Sequence, residues 1–302
     1  MELMELIGAL FNIALVVMIV ATMVSAGYTT TFANLGSVLR KVGLVALVLI
    51  TGLVLRPLVG WGIAELFSLD APAYIAMVLL AVVPGAPLGV KFVMGAKADI
   101  TTGATFQVLL AVVASFTFAS TANFILEAAD LGEGVSLPVG DLLKTIVVLQ
   151  VLPFVVGLLI RNSNEKRALE WNEFAKKIIG PSFLAVVVLA LLSSWQMIID
   201  LIGDRVILAG VVFTVVMIAL GYFVSQGDYK TRGATAMIMP GSNAGPTFAA
   251  VAIAFNNDPA ILGAVTAVIF IQIIVAAPVG TWMGKNKGDE NQETSEPMSE
   301  TV

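Results

Sequence analysis

The sequence has no cysteine and no histidine. Their absence removes disulfides, thiolate and imidazole metal ligands, cysteine nucleophiles and histidine general bases. Charge is scarce too: only 12% of the 302 residues are charged, about half the share a soluble domain of this size carries. No series of short alternating segments suggests the strands of a membrane barrel. What the chain has instead is apolar length, with 58% hydrophobic residues and a mean hydropathy of +0.97. Apolar runs of about twenty residues recur from end to end, as spanning helices require. Together these features predict an all-α polytopic membrane protein embedded in a lipid bilayer. With so few catalytic groups, an enzyme is not expected. The formal charge of −5 carries no partner signal, and nucleic acid is not an expected partner.

Hydropathy predicts nine transmembrane helices, at 6–26, 42–64, 73–96, 100–126, 142–160, 179–199, 206–225, 233–255 and 260–283. The charges orient them. With the N-terminus outside, the inner loops hold Arg40 and Lys41, Lys97, the run from Arg161 to Lys177, Lys230 and Arg232, and Lys285 and Lys287. The outer loops hold Glu65 and Asp70, Glu127 to Asp141, Asp200 and Asp204, and Asp258. This is the positive-inside pattern for nine spans, N-out and C-in, in a cell membrane. The N-terminal MELMELIG is acidic rather than basic, so the first apolar segment is expected to stay as a helix. The inner run 162–177 reads either as an amphipathic helix on the membrane face, with Trp171 and Phe174, or as a charged linker. The tail 285–302 carries five acids and few apolar residues, and is expected to be disordered.

One interruption occurs twice. The third span contains Pro84-Gly85-Ala86-Pro87-Leu88-Gly89, and the eighth contains Pro240-Gly241-Ser242-Asn243-Ala244-Gly245-Pro246. Each reads P-G-x-x-x-G, with Phe92 and Phe248 following at matching offsets. Proline removes a backbone donor and glycine loosens the turn. Freed backbone groups at bilayer depth must be buried in protein or face a water-filled cavity. Paired broken segments in corresponding halves of a chain point to a carrier site at the midplane. The third span enters from outside and the eighth from inside, so the two halves form inverted repeats with two broken crossing helices. The expected division is a first repeat over 1–126, an unpaired helix 142–160 with the inner linker over 127–178, a second repeat over 179–284, and the tail.

In span number, in the two crossing helices and in the basic loop after the fifth span, the chain resembles the bile acid:sodium symporter family. That family's crossing helices carry P-G-G-x-x-S-N and E-x-x-x-Q-N-S-G patterns, matched here by Pro84-Gly85 and by Asn243-Ala244-Gly245. The resemblance implies a secondary carrier for an organic anion, working by alternating access. It also places the family's sodium ligands. The serine and asparagine after P-G fall on Gly89 and Val90, and the serine and threonine of the next helix fall near Gly103 and Gln107. The glutamate falls near Ile238 and the glutamine on Ser242. Most oxygen ligands are missing, so sodium coupling stays open. No other cofactor or metal is expected.

Two cations remain at depth, Arg56 in the second span and Lys91 in the third, with no acid inside any span. Such charges are costly in lipid and functional by default. Lys91 either snorkels to the inner surface or stands beside the break as a substitute for the cation, able to load and release a proton. Arg56 is either a structurally hydrogen-bonded group or an anion contact facing an outer cavity. Expected substrate contacts are Arg56, Gly85, Ala86, Gly89, Lys91, Gln107, Ser242, Asn243, Gly245 and Thr247. Pro84, Pro87, Pro240, Gly241 and Pro246 are the expected hinges. Asn12, Gln150 and Gln272 fit interhelical hydrogen bonding better than ligand contact. A channel or sensor of the same fold is the rival reading. Substrate identity, direction of transport and oligomeric state are not encoded in any visible motif.

Overall fold

The computed structural model describes residues 3–131, 135–200 and 205–288, and every regular element among them is a helix. In chain order these are α1 (Leu3–Thr29), α2 (Phe32–Leu39), α3 (Val42–Ile50), α4 (Arg56–Leu66), α5 (Ala71–Ala81), α6 (Gly89–Gly95) and α7 (Ile100–Ala128). There follow α8 (Val139–Ile146), α9 (Leu152–Ser163), α10 (Glu165–Asp200), α11 (Arg205–Val224), α12 (Tyr229–Ile238), α13 (Ala244–Ala254) and α14 (Pro259–Gly288). Six of the continuous helical segments are long and apolar enough to cross a membrane. The third and eighth predicted spans are each two shorter helices, α5 with α6 and α12 with α13, separated by non-helical backbone.

The fold exposes many large apolar side chains, and it buries several polar ones within an otherwise apolar core. Ile13, Phe124, Phe223 and Ile274 point outward, a surface that only lipid solvates well. Inside lie Arg56, Gln107, Gln150, Ser242, Asn243, Thr247 and Gln272. Helix contacts between apolar surfaces gain little from burial in lipid, so close packing must hold them. At Gly27 and Gly157 the backbones of α1 and α9 touch: a Cβ at either glycine would collide with main-chain atoms of the other helix.

Aspartates at the ends of the loops start helices. Asp70, Asp99 and Asp228 accept backbone N–H groups at the first turns of α5, α7 and α12, and Asp258 does so for α14. These contacts satisfy amides that a helix start leaves free. The Thr231 backbone N–H holds the Asp228 carboxyl below the usual carboxylate range.

Four features depart from expectation. The stretch after α1, read as loop, contains α2, capped by the Thr31 side chain on the Asn34 N–H. The second and fifth spans each contain a π-helical turn, Thr51–Leu55 and Val147–Val151. A proline follows each turn at its second position, Pro57 and Pro153, and the wider turn accommodates the donor that proline lacks. The inner amphipathic segment and the sixth span are one helix, α10, which runs through Pro181. Finally, α14 continues to Gly288, into the tail expected to be disordered; residues 289–302 lie outside the described part.

Candidate functional site

The two breaks meet. Pro84 and Ser242 form an isolated antiparallel bridge, and the Asn243 N–H donates to the Val83 carbonyl at 2.8 Å. Backbone groups freed by one break are thus partly satisfied by the other, as bilayer depth demands. Gly85 makes the turn possible: its φ is +92°, and a Cβ there would lie 2.6 Å from the Ala111 nitrogen and 2.7 Å from the Gln107 carbonyl oxygen.

Arg56 lies at the centre of this crossing and is completely buried. It is the first residue after the π-helical turn. Its Nη1 donates to the carbonyls of Leu80 and Ala81 at 2.6 and 2.5 Å. Its Nε donates to the Met239 carbonyl at 3.1 Å, and its Nη2 to Ser242 Oγ at 2.6 Å. The Phe213 ring lies under the guanidinium, 5.1 Å from its carbon to the ring centroid, within the range of a cation–π contact. Ser242 Oγ in turn donates to Leu80 O at 2.9 Å and accepts from Gln272 Nε2 at 2.9 Å, while Gln272 Oε1 accepts the Ser242 N–H at 3.1 Å. Of the two roles the sequence left open for Arg56, this geometry is that of a structurally hydrogen-bonded group: four hydrogen bonds to the protein occupy it, and it is not part of the lining of the cavity beside the crossing.

Beside the crossing lies a cavity of about 210 Å³. The first break contributes Ala86, Pro87 and Leu88, and α6 contributes Lys91. The second break and the start of α13 contribute Ser242, Asn243, Ala244 and Gly245. Met18, Ile19, Thr22 and Met23 of α1, with Ile179, Gly180 and Phe183 of α10, form the facing wall. Among the described residues, Lys91 is the only charged one in the lining. Lys91 itself is exposed rather than enclosed.

The remaining sequence candidates divide clearly. Ala86, Pro87, Lys91, Ser242, Asn243 and Gly245 come together at the cavity. Gln107 is buried with its amide on the Gly85 carbonyl at 3.2 Å, bracing the turn. Thr247 donates to the Asn243 carbonyl at 3.0 Å. Gly89 packs on Ile238, and Pro240, Gly241 and Pro246 are buried within the second broken element. Gln150 and Gln272 form the interhelical bonds expected of them, to Asn243 and Ser242, whereas Asn12 is exposed on α1. The walls from α1 and α10 were not foreseen, because their contributions, Ile19 and Phe183 among them, are ordinary apolar residues in apolar helices.

Exposed apolar helices, a hydrogen-bonded polar cluster buried among them and two interrupted helices crossing beside a cavity mark a polytopic membrane protein. The chain belongs to the sodium bile acid symporter family, whose family model matches residues 14–205, well over half of it. A search of curated proteins returned no match. The matched region holds the first break and ends before the second. Around the second break the resemblance puts the family's glutamate, near Ile238, and its glutamine, on Ser242.

Proposed function

We propose that the protein is a secondary carrier for a small organic anion, with eight of its nine spans arranged as two inverted repeats, the fifth unpaired, and its cavity exposed alternately to the two sides of the membrane. The observation that carries this reading is the cavity itself: both breaks line it, and among the described residues its single charge is the Lys91 ammonium. An anionic head would bind there against Lys91 and near the positive end of α13, while its apolar part lies on Met18, Ile19 and Phe183. At about 210 Å³ the cavity is smaller than the roughly 300 Å³ at which pockets for drug-sized ligands begin. That size favours a short carboxylate over a polycyclic one.

Uptake of a panel of radiolabelled organic anions into proteoliposomes tests the reading. Replacing Lys91 by Asn should raise KM by about 10- to 100-fold, the range expected for one charge-assisted hydrogen bond, and Lys91→Arg should recover most of it. Uptake unaffected by Lys91→Asn, or equal uptake of a neutral analogue, would sink the assignment of Lys91. Counterflow separates a carrier from a channel of the same fold, because only a carrier exchanges labelled for unlabelled substrate against a gradient.

A further inference from the structure

We infer that the Arg56 guanidinium is a built-in cation at the helix crossing, occupying the place of an exchangeable metal ion, so that this transporter works without bound sodium. The inference rests on the carrier reading only for its consequence in transport; the binding claim stands on the geometry of Arg56.

Broken helices in transporters use their carboxyl ends and unwound carbonyls to hold cations. Here α5 and α12 both end at the crossing, at Ala81 and Ile238. The carbonyls at those ends, Leu80 and Ala81 on one side and Met239 on the other, converge on a single group, and that group is Arg56. Each helix end carries about half a unit of negative charge. Two such ends balance one guanidinium. Among the described residues no carboxylate pairs with Arg56, so carbonyl dipoles and a hydroxyl do all the compensating, as they would for a bound cation.

A sodium ion does not fit beside it. The same carbonyls and Ser242 Oγ already accept hydrogen bonds of 2.5 to 3.1 Å from a positive group, and a second cation within this shell would meet strong repulsion at low dielectric. No described cluster of acidic residues could offset it. The positions at which sodium ligands would stand are filled with other contacts: Ile238 packs on Gly89, and the Ser242 hydroxyl is shared among Arg56, Leu80 and Gln272. A tethered cation cannot be released, so it holds the two broken elements together throughout the cycle and gives no coupling to a sodium gradient.

Thermal unfolding of the purified full-length protein in detergent, in sodium, potassium or choline chloride at one ionic strength, tests this without any substrate. The wild-type Tm should be the same in all three. Arg56→Ala should lower Tm by more than about 5 °C, given several acceptors left without a donor. Low-millimolar guanidinium should recover part of the loss in that variant and none in the wild type. A saturable rise in wild-type Tm specific to sodium overturns the inference, as does an Arg56→Ala protein as stable as wild type. If Arg56→Ala does not fold, the wild-type arm still decides, together with Arg56→Lys, which keeps the charge with fewer donors and should be less stable but equally indifferent to sodium. A sodium-stabilised wild type would leave the anion carrier standing. Failure to take up any organic anion would defeat the carrier reading and leave the Tm result untouched.

Discussion

Two intramembrane cations are visible in the sequence, but their roles are set by where the side chains end. Lys91 lines a cavity, and Arg56 reaches acceptors on two other elements, the farthest of them 186 residues along the chain. No local pattern encodes such a reach. The rarity of charge in an apolar chain marks Arg56 as important; only the fold distinguishes a ligand contact from an internal brace. Gln107 is similar: its type suggests a polar liner, and its amide in fact fixes the Gly85 turn. Gly85 gives a prediction that belongs to this scale. An alanine there needs both a left-handed φ and room that the Ala111 nitrogen and Gln107 carbonyl occupy. Gly85→Ala should therefore cost about 3 kcal/mol or more of stability, read as a lowered Tm. A Tm within a degree or two of wild type would mean that the turn is not held as described.

At the scale of elements, legibility follows the strength of the local signal. The two breaks were readable because P-G-x-x-x-G is a rare string in an apolar span and occurs twice. The π-helical turns were not, since each proline that follows reads equally well as a kink in an ordinary helix. Gly180-Pro181 lies at the start of the predicted span 179–199, yet α10 passes through it. The carbonyl that loses its donor there is that of Lys177, an exposed residue near the helix's charged end, where water can replace the lost bond. Small residues were likewise readable as composition but not as contacts. Gly157 should not tolerate a larger side chain, because α1 main chain occupies the space; Gly62 in α4 has nothing within 4 Å of its would-be Cβ. Gly157→Val should lower Tm by several degrees, by separating α1 from α9. Gly62→Ala should leave Tm unchanged or raise it slightly, by up to about 1 kcal/mol in helix propensity. Equal effects of the two substitutions would mean that α1 and α9 do not pack through these glycines.

For the whole molecule, the cavity lies between two kinds of wall. One is the crossing, tied by the Pro84–Ser242 bridge, Arg56 and Gln272. The other is α1 with α10, whose contribution is apolar apart from Thr22. Hydrogen bonds resist shear, whereas apolar faces slide at little cost, so motion should occur at the second wall while the crossing stays rigid. Alternating access then requires that a residue on α1 facing the cavity become reachable from each side of the membrane in turn. Thr22 is such a residue, and with no native cysteine in the chain a Thr22→Cys protein carries a single thiol. In oriented proteoliposomes that thiol should react with an impermeant maleimide added to either face, and a transported anion should slow both reactions. Reaction from one face only, whatever the substrate present, would mean that the crossing and the α1–α10 wall do not move against each other, and the fold would then serve as a one-sided binding protein rather than a carrier.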